Sequence, residues 1–286
     1  MKKITSVKEM KATARELRSR GKTIGFVPTM GYLHEGHLSL VRKSTQKAEV
    51  TVVSVFVNPA QFGPKEDFKE YPRDLNRDLR LLEKVGVDYL FYPDSEEVYP
   101  PGYRTYVRVH DLEEKLCGRS RPGFFRGVCT VVLKLFNIVE PDIAFFGQKD
   151  AQQAIILQRM VEDLHLDVKI EVLPIVRDED GLALSSRNEY LNSKEREAAL
   201  ALPRSLQEAK KTIKIGERRA AVIIKKVEEM IRKEPLTKID YVEIVDLDEL
   251  KPIEMLKDGS LLALAVWVGK TRLIDNLMIE INEKRE

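Results

Sequence analysis

A chain of 286 residues, 43% of them hydrophobic, is long enough for two domains and apolar enough to build a real core. Lys and Arg number 48 against 46 Asp and Glu, a formal net charge of +2, so no global field favours nucleic acid and any anion site must come from local placement. No run approaches the roughly 18 uninterrupted apolar residues of a membrane helix, and MKKITSVKEMKATAREL alternates charge too densely for a signal-peptide core, so a cytoplasmic protein without membrane or nucleic-acid partners is expected.

In chain order, KTIGFVPT (22–29) reads as a short strand, followed by Gly31, Gly36 and a helical pattern through Leu38, Leu40 and Val41. EVTVVSVFV (49–57) is a nearly continuous β-branched run, which completes a βαβ unit. After the Asn58-Pro59 break and a polar loop, Leu75, Leu79, Leu82 and Val85 predict a helix over 72–85, and DYLFYP (88–93) another strand. Residues 94–122, rich in Pro, Gly and Arg, read as a long functional loop; 127–139 is helical, DIAFFG (142–147) a strand, 150–164 a helix and KIEVLPIV (169–176) the closing strand. Cys117 and Cys129 are too few and too far apart for a zinc site or a disulfide framework, and are expected as reduced packing thiols. Composition changes near Ser193: two charged amphipathic helices (194–213 and 217–233) precede strand candidates at 238–245, 260–269 and 271–279. The expectation is a doubly wound, parallel-sheet, Rossmann-like α/β domain over 1–187 and a small α+β C-terminal lid domain over 188–286.

Four polar stretches follow predicted strands, where ligands of such sheets bind: PTMGYLHEGH (28–37), NPAQFG (58–63), GQKDAQQ (147–153) and RDEDGLALSSRN (177–188). His34 and His37 stand at i and i+3, on one face of a helix start. A zinc protease site needs two histidines four apart, and only His110 and His165 remain as further imidazoles, so no protein-held metal is expected. Capping the helix or filling a core position is a second reading. Gly31 and Gly36 favour a third, in which the backbone approaches a phosphate that the helix N-terminus and the imidazoles then bind. Ser185, Ser186 and Arg187 either close over a pyrophosphate or form a Ser-rich helix-capping turn. GQKD adds Lys149, a cation, and Asp150, which would cap the next helix or accept hydrogen bonds from a ribose or from the waters of a bound magnesium.

HxGH opening a helix, with a later Ser/Lys/Arg loop, resembles the superfamily of class I aminoacyl-tRNA synthetases and related nucleotidyltransferases. The fuller strings PTMGYLHEGHLSLV, FVNPAQFGP, EYPRDLNRD, FFGQKDAQQ and VRDEDGLALSSRNEYL, in that order over about residues 25–192, resemble the pantoate–β-alanine ligases. The resemblance implies a homodimeric, AMP-forming ligase that uses MgATP to join pantoate to β-alanine through pantoyl adenylate, with Mg²⁺ bound mainly through the ATP phosphates. It assigns ATP binding to Met30, Gly31, Tyr32, Leu33, His34, Glu35, Gly36, His37, Gly147, Gln148, Lys149, Asp150, Val176, Leu184, Ser185, Ser186 and Arg187. Gln61 and Gln153 fall to pantoate, and Gln61 also to β-alanine. His37 is the implied proton donor, and His34, His37, Lys149 and Arg187 form the catalytic set.

Pro28, Met30 and Phe62 would wall the geminal methyls of pantoate or simply pack in the core, and Tyr71 and Arg73 would organise the site. Leu184 stands where the family commonly has methionine, a volume-conserving change, and Arg187 where synthetases carry lysine. Gly181 and the acidic RDED run suggest that loop 177–188 and the C-terminal domain close over ATP. Two rivals remain: a nucleotidyltransferase acting on a phosphorylated acceptor, which would call for additional Arg or Lys beside Gln61 and Gln153, and a non-catalytic nucleotide- or RNA-binding module, against which the presence of both histidines with Lys149 and Arg187 argues.

Overall fold

β-Branched runs bounded by Gly, Pro and Asn form the strands of a parallel sheet, as their patterning requires. The computed structural model describes residues 1–64 and 66–281, and the chain divides into two units. The first comprises Met1–Glu113, Arg121–Gln148 and Gln152–Val176; the second takes Glu114–Ser120, Lys149–Ala151 and the chain from Arg177 onward.

In chain order the first unit holds β1 (Lys2–Ile4), α1 (Val7–Ser19), β2 (Ile24–Thr29), α2 (Glu35–Lys47), β3 (Val50–Val55), α3 (Leu75–Lys84), β4 (Tyr89–Phe91) and α4 (Ser95–Val98). After α5 (Leu116–Ser120), which lies in the second unit, come α6 (Phe124–Val139), β5 (Ile143–Gly147), α7 (Ala151–Asp163) and β6 (Lys169–Leu173). The strand order is β1-β4-β3-β2-β5-β6, and every pairing is parallel. All residues of β3 are buried, as expected of a strand covered on both faces. Alternate side chains of β2 show the two layers: Val27 packs with Leu40 and Val41 of α2 and Leu82 of α3, while Phe26 meets Phe136 of α6 edge-on at 6.4 Å.

The order reverses at β2, whose neighbours are β3 and β5, so the ligand-binding crevice of such a sheet lies at its carboxyl end. The β2–β5 ladder stops at Phe26↔Ala144, whereas β2–β3 pairing continues to Thr29↔Val55. Pro28, with no N–H to give, stands just beyond that last rung.

In the second unit, α8 (Ser193–Ala199), α9 (Ala201–Lys214) and α10 (Ala220–Ile231) precede an antiparallel sheet of β7 (Thr237–Val245), β8 (Ser260–Val268) and β9 (Thr271–Ile279). Leu202, Leu206, Ala209 and Ile213 recur at helical spacing along α9 and join Ile223 and Val227 of α10 against Val242, Leu262, Leu264 and Val266 of the sheet.

The expected doubly wound sheet and the small α+β unit are both present, with differences of detail. The N-terminal β1 and α1 were not expected; β1 extends the sheet edge beside β4. The helix expected over 194–213 is two, because the Pro203 ring clashes with the carbonyl of Ala199, where α8 ends. β6 stops at Leu173, before Pro174. The stretch expected as one long loop, 94–122, contains α4 and α5. α5 joins the second unit through its partners there: Arg119 pairs with Glu243, the Ser120 hydroxyl meets the Asp240 carboxylate at 2.8 Å, and Arg272 donates to Cys117 Sγ at 3.5 Å. Both cysteines are buried and lie outside any disulfide.

The continuous stretch of the second unit runs from Arg177, with the expected boundary at 188 inside it. Arg177 donates to both oxygens of the buried Asp275 (2.7 and 2.9 Å), and Arg196 of α8 binds Asp178 and Asp180 (2.6 and 2.7 Å), so the acidic run is anchored to the helices and sheet that follow it.

Candidate active site

The turn between β2 and α2 carries the HEGH stretch, and each of its amides from Gly31 to His34 is taken by a side chain. Gly31 N–H donates to Thr29 Oγ1 (3.2 Å), Tyr32 and Leu33 N–H donate to the two carboxylate oxygens of Asp78 (2.8 Å each), and His34 N–H donates to His37 Nδ1 (3.3 Å). The Thr29 hydroxyl donates in turn to the Ser54 carbonyl on β3 (2.8 Å). Gly31 and Tyr32 both sit in the left-handed region, at φ +84 and +50. A Cβ on Gly31 would lie 2.9 Å from Val55 Cγ1 and 3.1 Å from Asp78 Oδ2, so the turn accepts only glycine there.

Asp78 lies on α3 and is 1% exposed. Burial raises its carboxyl above the usual carboxylate range, and the Leu33 and Tyr32 amides pull it back. The preceding residue, Arg77, lays its guanidinium over the Tyr32 ring at 4.7 Å.

His34 is the N-cap of α2, and its carbonyl accepts from the His37 and Leu38 amides (2.8 and 3.1 Å). The two imidazoles stand 4.0 Å apart between centroids. Because His37 Nδ1 accepts, the neutral ring carries its proton on Nε2, the nitrogen the cap does not use. The backbone donors expected for phosphate therefore divide in two. Those of 31–34 are engaged inside the turn; those of Glu35 and Gly36, ahead of the first helical bond, are what the α2 N-terminus presents.

Gln61 closes the 3₁₀ turn Pro59–Gln61 that follows β3. It is held by Asn58, 1% exposed, whose Nδ2 donates to Gln61 Oε1 (2.9 Å) and to the Gly127 carbonyl of α6 (3.1 Å). Asn58 Oδ1 accepts from the Tyr99 hydroxyl (2.8 Å), whose pKa burial pushes up, so that it remains a donor. Gln61 Nε2 meets Met30 Sδ at 3.2 Å, which brings a residue assigned to pantoate against one assigned to ATP.

Phe62 packs on Phe68 and Tyr71 (5.3 and 5.9 Å), in line with its packing alternative. Arg73 donates to the carbonyls of Phe68, Lys69 and Tyr71 (2.7, 3.2 and 2.9 Å) and so closes its own turn. Arg121 grips Glu66 with two bonds (2.7 and 2.5 Å), reaches the Gln61 carbonyl (3.4 Å) and lies over the Phe124 ring (3.7 Å). Gly147 and Gln148 leave β5, Gln153 is half-buried on α7 beside Gln152, and Val176 follows β6.

In the second unit, Lys149 Nζ stands 3.8 Å from the Asp150 carboxylate, and its carbonyl accepts from Asn276 (3.0 Å). Ser185 Oγ accepts the Arg187 amide (3.2 Å) and starts the 3₁₀ turn Ser186–Tyr190, which agrees with the capping reading of the Ser-rich loop. Ser186 is buried, and Leu184 and Arg187 are half-buried. Among the described residues, no three His, Cys, Asp or Glu side chains gather as a metal site would need.

Asn58, Asp78, Tyr99 and Arg121 were not singled out from the sequence. Asp78 had a detectable signal: it falls three residues after Leu75 and four before Leu82, an acid on the apolar stripe of a predicted helix.

A family model described as pantoate-beta-alanine ligase matches residues 2–278. Pantothenate synthetases of Pelotomaculum thermopropionicum and Fervidobacterium nodosum are 57% and 58% identical over 274 and 279 residues, covering 96% and 98% of this chain and 97% and 99% of theirs. Among solved structures, pantothenate synthetase from Thermus thermophilus matches with a TM-score of 0.93 at 43% identity, over 98% of this chain and 100% of that one. The pantoate-beta-alanine ligase of Francisella tularensis, complexed with beta-gamma ATP and beta-alanine, matches with a TM-score of 0.81 at 34% identity, over 97% of each chain. With its HEGH turn pinned at the switch point of a parallel sheet and residues 2–278 matched by the family model, the chain belongs to the pantoate–β-alanine ligase family.

Proposed function

We propose that the protein condenses pantoate with β-alanine in two steps. A carboxylate oxygen of pantoate attacks the α-phosphorus of ATP; the new O–P bond forms as the bond to the β-phosphate oxygen breaks, giving pantoyl adenylate and pyrophosphate. The amine of β-alanine then attacks the acyl carbon, the C–N bond replaces the bond to AMP, and pantothenate leaves after the amine gives up a proton. No protein nucleophile takes part, because the substrate carboxylate fills that role, and catalysis is positioning plus neutralisation of charge on the departing pyrophosphate.

The observation that carries this reading is the contact between Gln61 Nε2 and Met30 Sδ (3.2 Å), which joins an amide suited to the carboxylate and hydroxyls of pantoate to the turn that leads into His34 and His37. His37, with its neutral-form proton on Nε2, is the donor to a phosphate oxygen, and His34 holds phosphate beside it. By resemblance, Lys149, Ser185, Ser186 and Arg187 neutralise the pyrophosphate and Gln153 binds pantoate. Mg²⁺ enters with ATP, held by phosphate oxygens and water, and supplies charge neutralisation when bound. Asp150, exposed and next to Lys149, is the carboxylate suited to accept from its waters. A homodimer in the cytoplasm completes the proposal.

The test is incubation with ATP, Mg²⁺, pantoate and β-alanine. AMP and pyrophosphate are expected in proportion to pantothenate, with pyrophosphate released from ATP and pantoate alone. ADP as the product, or turnover that does not depend on pantoate, refutes the assignment.

A further inference from the structure

We infer that Asp78 is a positioning residue for adenylation, acting through the backbone of the turn that carries His34 and His37; the inference rests on the ligase reading above. Two consecutive residues of α3 hold one residue of the turn from both ends. The Asp78 carboxylate accepts the Tyr32 amide through Oδ2 and the Leu33 amide through Oδ1 (2.8 Å each), while the Arg77 guanidinium covers the Tyr32 ring at 4.7 Å. Tyr32 is held at φ +50, a conformation that side chains other than glycine, asparagine and aspartate rarely adopt, so something outside the turn must stabilise it.

Asp78 supplies that stabilisation. It sits 1% exposed on the apolar stripe of α3, between Leu75 and Leu82, where an acid has no packing reason to be. Its two oxygens answer the N–H groups of Tyr32 and Leu33 on either side of that left-handed residue. The next residue after the clamped pair is His34, whose own amide is engaged by His37 Nδ1, so the setting of Tyr32 and Leu33 is passed directly to the imidazole pair and to the Glu35 and Gly36 amides at the head of α2. The clamp costs the turn two backbone donors that would otherwise be open to phosphate. What it returns is one fixed direction for the remaining ones.

Asp78→Asn tests this most sharply. The amide keeps one acceptor oxygen but turns an NH₂ group toward the other backbone N–H, so one bond is replaced by a repulsive contact of nearly the same shape. The expected result is a fall of about 10- to 100-fold in kcat for pyrophosphate release from ATP and pantoate, with KM for β-alanine in the complete reaction within about twofold of wild type and circular dichroism unchanged. A purely structural role would lower the melting temperature and leave kcat per folded molecule intact, and that result overturns the inference. A loss shared equally between adenylation and the β-alanine step overturns it as well. Should Asp78→Asn not fold, hydrogen exchange on the wild type decides: the Tyr32 and Leu33 amides are expected to be protected without ATP, and exchange at the rate of an open loop overturns the clamp. If the wild type releases no pyrophosphate, the ligase reading fails, while the exchange measurement still reports on the clamp.

Discussion

Gly127 is the point where α6 touches the 3₁₀ turn that presents Gln61, and replacing it with alanine gives a calculable displacement. A Cβ at 127 would stand 2.3 Å from the Ala60 carbonyl oxygen, 2.5 Å from its carbon and 2.6 Å from Gln61 N. These are backbone atoms with no rotamer to yield, and ordinary contact at about 3.5 Å requires the turn and the helix to separate by about 1 Å. The same movement stretches the Asn58 Nδ2 bond to the Gly127 carbonyl, now 3.1 Å, beyond hydrogen-bonding range, and releases Asn58 from the helix. A misplacement of about 1 Å at a positioned group lowers turnover by about 10²-fold. Overpacking costs about 1–3 kcal/mol, offset by the roughly 1 kcal/mol by which alanine exceeds glycine in a helix, so Gly127→Ala is expected to fold. Steady-state kinetics with pantoate varied at saturating ATP and β-alanine should show kcat/KM for pantoate reduced by about 30- to 100-fold, with KM for ATP within about threefold. Wild-type kcat/KM in a folded Gly127→Ala protein would refute the argument, and so would equal losses toward ATP and pantoate.

His37→Ala should reduce kcat by about 10²–10⁴, the range for a positioned proton donor, with little change in thermal stability; initial rates of pyrophosphate release measure it. Arg177→Ala strands Asp275, 2% exposed, without its guanidinium, and with Arg177 itself partly solvated the loss should be about 2–4 kcal/mol in a urea melt. Burial pushes the Cys129 thiol from 9.0 up to about 12, so iodoacetamide at pH 8.5 should leave it unmodified in the native protein and alkylate it in guanidinium, as peptide mass spectrometry will show. Because the unfolded thiol loses its proton first, stability should fall between about pH 9 and 12 with a contribution approaching 1.4 kcal/mol per pH unit. Cys129→Ala should remove that part of the slope in pH-dependent melts.

The parts of the molecule that the sequence discloses are those in which one segment carries its own evidence. β3 is legible because VTVVSV is short and dominated by β-branched residues, the mark of a strand buried on both faces, and α9 because Leu202, Leu206, Ala209 and Ile213 keep helical step. α1 escapes notice although Met10, Ala14 and Leu17 line one face, because the residues between them are so heavily charged that the stripe is thin, and β1 is three residues whose strand character comes from pairing with β4. Pro203 marks the break between α8 and α9 in plain view, but the helical pattern on either side masks it. The site divides the same way. His34, His37, Gln61 and Lys149 are visible because imidazoles, amides and ammonium groups at strand ends have few structural uses. The groups that hold the turns of His34, His37 and Gln61 are drawn from elsewhere in the chain: Asp78 from α3, Tyr99 from the end of α4 and Gly127 from α6 reach the β2 and β3 turns only through packing. What a residue can do chemically is written in its own segment, whereas the direction in which it does it belongs to the fold. That is why the substitutions expected to separate positioning from chemistry, Gly127→Ala and Asp78→Asn, fall on residues that touch backbone and not substrate.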